Sequence, residues 1–83
     1  MTLRVASPNL NRMDNSTRRR LLGRRIRALR VEAGLTQREL ALMAGTSQSH
    51  LWNIERGSVN ISFDLICRIA EALDAPARDL FDF

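Results

Sequence analysis

Apolar residues recur along this chain at helical spacing, in short segments separated by glycines and small polar residues. Leu22, Ile26, Leu29 and Ala33 stand at i, i+4, i+7 and i+11, one stripe with arginines around it. This predicts a first helix from about Ser16, capped by Ser16 or Asn15 and ended by Gly34. Thr36-Gln37-Arg38-Glu39 has the form of a capping box, so a second helix starts at about Gln37. That helix turns Leu40, Ala41 and Ala44 inward and stops at Gly45, whose missing Cβ permits the positive φ of a tight turn. Ser47 then caps a third helix through about Arg56, with Gly57 at its end. Ser62 caps a fourth, with Asp64 placed against the positive helix end and Ile66, Ile69, Ala70 and Leu73 as its apolar face. Pro76 suits the first turn of a short fifth helix ending in Leu80-Phe81-Asp82-Phe83. No segment alternates as a strand would. The expectation is an all-α domain of five helices over residues 16–83, preceded by a flexible arm over residues 1–15 that holds Pro8, three asparagines and no sustained period.

Composition narrows this picture. With 83 residues, 45% of them hydrophobic, the chain suits one domain and one small core, a size class that often gains from oligomerisation. No apolar run approaches the length that spans a bilayer, and the first residues lack the apolar core of a signal peptide. A single cysteine, Cys67, leaves no internal disulfide and no metal site built from several thiolates. The sequence reads as soluble and cytoplasmic, with no cofactor, no metal and no small-molecule ligand.

Charge is informative once divided. All 13 basic residues are arginine. Residues 1–38 carry ten of them against Asp14 and Glu32, a balance of +8; residues 39–83 carry three against seven acids, a balance of −4, and together they give the net +4. A basic first half joined to an acidic second half suggests one face for a polyanion, with simple solvation of the first helix as the alternative.

The linker between the second and third helices is about three residues, centred on Ala44-Gly45-Thr46. So short a turn forces the helices to cross steeply. The crossing needs a small residue where the helices approach (Ala41), a glycine in the turn (Gly45) and apolar anchors on the third helix (Leu51 and Ile54). With Ile26, Leu29 and Arg30, Gly34-Leu35-Thr36-Gln37, Glu39-Leu40-Ala41, Ser47-Gln48-Ser49, Ile54-Glu55-Arg56-Gly57, Ile69-Ala70, Ala72-Leu73 and Leu80-Phe81, these residues form an ordered set. The stretch Leu22–Phe81 thereby resembles the Cro/cI-type, lambda-repressor-like family, with residues 37–56 as its helix-turn-helix. The resemblance implies a compact five-helix DNA-binding domain in a transcriptional regulator.

At 100° per residue, Leu51 and Ile54 define the inner side of the third helix, so Ser49, Trp52, Asn53 and Arg56 fall outside, with Ser47 and Gln48 near the tip. This face is polar and free of carboxylates, which suits a major groove lined by phosphate. The resemblance implies base reading by Ser47, Gln48, Ser49 and Asn53, and a phosphate contact by Gln37 at the start of the second helix. Arg56, Asn60 and Ser62 are further phosphate candidates. The same resemblance makes Arg30 and Glu55 an interhelical ion pair, structural rather than catalytic. For Arg18, Arg19, Arg20, Arg24 and Arg25, solvation and phosphate contact stand level. His50 is assigned to packing or a phosphate contact, Cys67 to an inert half-buried thiol and Met43 to the core or its rim. Thr46 and Trp52 depart from the family's usual residues; Trp52 is expected to cover the ion pair and nearby backbone, with a DNA or subunit contact as alternatives.

One recognition helix reads too few base pairs to select a genomic site, so the expected state is a homodimer on a palindromic operator, with Leu80, Phe81 and Phe83 as possible dimer contacts. The run Asn60-Ile61-Ser62 is similar to that of small regulators that control restriction–modification genes; antitoxin and phage-repressor roles remain open beside it. The competing class is a protein-interaction module that keeps the fold without binding DNA. Enzymatic function is not expected, because one histidine and one cysteine assemble no metal cluster or nucleophile–base pair.

Overall fold

The computed structural model describes residues 13–83; positions 1–12 of the expected arm lie outside them. The helices are α1 (Asn15–Glu32), α2 (Gln37–Ala44), α3 (Gln48–Arg56) and α4 (Phe63–Ala72), followed by a 3-10 helix, Ala77–Phe81. No strand occurs among the described residues. The expected fifth helix is therefore a 3-10 helix: Asp79 N–H donates to the Pro76 carbonyl at i+3, 2.9 Å. Five residues are too few to offset α-helix nucleation, and the tighter repeat serves for short pieces.

Local signals set most boundaries. Thr36 Oγ1 accepts from Glu39 N–H at 3.0 Å while Glu39 Oε1 accepts from Thr36 N–H at 2.8 Å, a reciprocal box at the start of α2. Those bonds hold the Glu39 carboxyl below its ordinary range. Ser47 and Ser62 cap α3 and α4 through the N–H groups of His50 and Leu65. The cap of α1 differs from expectation. It is Asp14, whose Oδ1 accepts from Thr17 N–H at 2.8 Å and from Ser16 Oγ at 2.9 Å, while Asn15 and Ser16 lie within the first turn. These hydrogen bonds lower the Asp14 pKa to about 2. An acid at the positive helix end is favoured over its neutral neighbours.

Each element supplies one fully buried side chain to a shared core: Ile26 from α1, Leu40 from α2, Leu51 from α3, Ile69 from α4 and Leu80 from the 3-10 helix. Helix α1 lies across α3, α2 lies against both α3 and α4, and the 3-10 helix closes the end between α1 and α4. The stripe of α1 ends earlier than its spacing predicts. Ala33 is the exposed C-cap, and the last inward position belongs to Arg30. On α4, Leu65 joins Ile66, Ile69 and Ala70 in the core, with Leu73 packed at its edge. Met43 is 55% exposed and lies outside the core. Two arginines bind helices by reaching backbone carbonyls: Arg25 Nε donates to Asp79 at 2.7 Å and Arg68 Nε to Ala44 at 2.9 Å.

Three contacts fix α3 and its C-cap against α1. At Gly23 the backbones come so close that a Cβ would strike the carbonyl oxygens of Ile54 and Glu55, lying 2.5 Å from the latter. Across the fold, Arg20 makes a similar approach to Gly57: a Cβ on Gly57 would lie 2.6 Å from Arg20 Cα, and Gly57 also has φ +75°. Further along α1, Arg30 Nε donates to Glu55 Oε2 at 2.7 Å and its Nη2 to Glu55 Oε1 at 3.0 Å, a two-pronged pair. The remaining arm, Nη1, donates to the Leu35 carbonyl at 2.9 Å, and Gln37 Nε2 donates to Glu55 Oε1 at 3.0 Å. The pair is buried, with 11% and 3% of the two side chains exposed.

These contacts make two stability predictions. Helix propensity alone favours Gly23→Ala by about 1 kcal/mol, but overpacking against rigid backbone costs about 1–3 kcal/mol or more. Gly23→Ala will therefore lower the urea midpoint; a raised midpoint would mean that α1 and α3 are not in contact there. Arg30→Met leaves the buried Glu55 carboxylate without its cation and will cost about 3–5 kcal/mol, whereas Arg30→Met with Glu55→Leu will recover most of that loss. Urea unfolding of the three proteins measures both, and equal losses in the single and double variants would refute the account.

Candidate nucleic-acid interface

The outward side of α3 is set by what its inward side holds. Leu51, Ile54 and Glu55 are buried, so Gln48, Ser49, Trp52 and Arg56 face out and Asn53 is half-buried at the margin. Gln37, Gln48, Ser49, Trp52 and Asn53 line one shallow cleft of about 390 Å³. The sequence-derived residues at the start of α2 and along α3 thus converge, through a turn of only Gly45, Thr46 and Ser47. Gly45 adopts φ +72° at the end of α2, the backbone that the short turn demands.

Several candidates already hold partners. Ser47 Oγ accepts from His50 N–H at 3.0 Å, so its hydroxyl caps the helix, and Ser47 is not among the cleft-lining residues. Asn53 Oδ1 accepts from Ser58 Oγ at 3.3 Å, which biases its outward chemistry toward the amide donors. Gln37 gives one N–H to Glu55. The capping box takes the N–H groups of Thr36 and Glu39, which leaves those of Gln37 and Arg38 as the unsatisfied donors of the α2 terminus, beside that side chain. A phosphate oxygen suits this cluster of donors.

Other candidates lie elsewhere. Asn60 lines a second, more apolar groove of about 580 Å³ with Arg18, Arg19, Ile61, Phe81 and Phe83. Ser62 caps α4, where exposed Asp64 already supplies an anion to the helix end. Among the arginines of α1, Arg18 donates to Asn15 Oδ1, Arg20 donates to Thr17 Oγ1 and Arg25 is held by the Asp79 carbonyl. Leu80 is fully buried in the core, which removes it from the surface available for a dimer contact. Its neighbours Phe81 and Phe83 are 48% and 42% exposed.

Trp52 is an exposed residue of α3. It stays 48% exposed, and the guanidinium carbon of Arg56 lies 4.2 Å from its ring centroid. The i, i+4 spacing of an aromatic and an arginine on one helix was the available signal for this stack. His50 and Cys67 are each half-buried, as expected. No group of three or more potential metal ligands occurs among the described residues, and no described helix is long and apolar enough to cross a membrane.

Comparison with known proteins agrees with this geometry. Residues 21–82 match the helix-turn-helix domain family. The control protein C.BamHI of Bacillus amyloliquefaciens is 35% identical over 66 residues, covering 78% of this chain and 82% of that protein. The structure is similar to the restriction-modification controller protein C.AhdI of Aeromonas hydrophila, at 40% identity and a TM-score of 0.74 over 75% of this chain and 94% of the other. It is also similar to the clp gene regulator ClgR of C. glutamicum, at 35% identity and 0.74 over 76% and 81%. With two helices joined by a three-residue turn, a carboxylate-free outer face on the second of them, and these matches across most of its length, the chain belongs to the helix-turn-helix family of DNA-binding transcription regulators.

Proposed function

We propose that the protein is a homodimeric regulator that places α3 in the major groove of a palindromic operator, in the manner of a restriction–modification controller. The observation that carries this is the single cleft formed by Gln37, Gln48, Ser49, Trp52 and Asn53, which sets phosphate donors from α2 beside polar base-reading groups from α3. Gln48, Ser49 and Asn53 contact base edges, with Ser47 holding the helix tip through its cap. Gln37 and Arg56 contact phosphates on either side, and Asn60 and Ser62 lie along the backbone beyond them. Exposed Phe81 and Phe83 supply apolar surface for the second copy. Two half-sites about 34 Å apart then give the length of sequence that one helix cannot read. The controller role rests on the similarity to C.BamHI and C.AhdI; a methyltransferase or endonuclease gene beside this one is expected, and a toxin gene in that place would assign it to an antitoxin.

Selection of bound duplexes from a random library will return a palindromic consensus. Asn53→Ala will relax preference at one position per half-site, while Arg56→Ala will weaken all sites and lower the dependence of affinity on salt. Parent-like binding of every duplex by both variants would show that another face reads DNA. Sedimentation will show a dimer at tens of micromolar or on the selected duplex, and monomer under both conditions would overturn the dimeric reading.

A further inference from the structure

The reading face contains one group that hydrogen-bonded recognition of bases does not employ. Trp52 is the largest side chain on α3, yet it is turned outward and remains half exposed. It forms part of the same cleft as Gln37, Gln48, Ser49 and Asn53. One ring face is held by the Arg56 guanidinium at 4.2 Å. The stack favours this outward orientation before any ligand arrives, which lowers the side-chain entropy lost on binding.

What an exposed, pre-positioned apolar surface can recognise in a major groove is limited. Base edges there display hydrogen-bond donors and acceptors, with one apolar feature among them, the 5-methyl group of thymine. We propose that Trp52 is a specificity-determining residue, which selects thymine in each half-site by packing the free surface of its indole against that methyl group. The inference rests on α3 lying in the major groove. Cytosine at that position would present only a C5 hydrogen where thymine has its methyl, so the contact discriminates between the two pyrimidines. Arg56 serves here as a positioning residue as well as a phosphate contact, because its stacking sets the ring's orientation.

Replacing thymine by deoxyuridine, position by position in the selected duplex, removes the methyl group and nothing else. For the parent protein, one such replacement in one half-site will weaken binding about fourfold, the weight of one buried methyl, and the same replacement in both half-sites about sixteenfold. Trp52→Ala will bind the thymine and deoxyuridine duplexes alike at that position while keeping its preferences elsewhere; Trp52→Phe, which keeps an apolar ring, will retain part of the difference. Circular dichroism and thermal melting of each variant show that the fold is kept. A parent indifferent to every replacement overturns the inference, as does a Trp52→Ala protein with the parent's full uridine sensitivity. Uniformly weaker binding by Trp52→Ala with an unchanged uridine response assigns the indole to the sugar–phosphate backbone and also overturns it. Those outcomes leave major-groove binding standing, whereas failure of the parent to enrich any duplex overturns that reading too.

Discussion

The arrangement of the proposed DNA-reading surface depends on how α1 grips the far end of α3. Gly23 lets the two backbones meet at Ile54 and Glu55, and about two turns further along α1 Arg30 closes on the Glu55 carboxylate with two hydrogen bonds. Close backbone approach fixes the distance between the helices. The two-pronged pair fixes rotation of α3 about its own axis, because a carboxylate met edge-on by a guanidinium tolerates little turning. Rotation is the variable that decides which side chains face outward. A helix turned by one residue would bring a different set to the cleft.

The same network extends to the other half of the interface. Arg30 also holds the Leu35 carbonyl in the turn before α2, and Gln37 in the first turn of α2 shares the Glu55 oxygen. The start of α2 and the end of α3 are thereby referenced to one buried carboxylate. Its charge is not present for stability as such, since an apolar replacement of a buried pair is often as stable. What the pair supplies is registry between the proposed phosphate-binding end of α2 and the proposed base-reading face of α3. Arg56, one residue past Glu55, carries that registry outward by stacking on Trp52.

Local features of the fold were legible in the sequence because they act over a few residues. The Thr36–Glu39 box, the serine caps at positions 47 and 62 and the glycine turn at 45 each need only neighbours to be satisfied, and each is found where its motif stands. Where several neighbours offer the same chemistry the choice is degenerate, as at Asp14, Asn15 and Ser16. Gly23 was silent for a different reason: within one helix it looks like a weak residue, and its role exists only through Ile54 and Glu55 some thirty positions on. Leu80 was misplaced because in a 3-10 helix the side chains step by about 120° rather than 100°, so an α-helical period does not tell the buried residue from its exposed neighbours. Convergence of Gln37 with Gln48, Ser49 and Asn53 followed from the short turn. The separation of Asn60 into another groove did not, since it depends on where the loop after α3 returns to α1.

The cleft between the start of α2 and the outer face of α3 is the proposed seat of DNA. Titrating the labelled protein with its selected duplex while following amide and indole N–H resonances tests this residue by residue. The account predicts the largest shifts at Gln37, Gln48, Ser49 and Asn53 and at the Trp52 indole, with Leu51 and Ile54 far less affected. Shifts concentrated instead around Arg18, Arg19 and Asn60, with α3 unmoved, would contradict it.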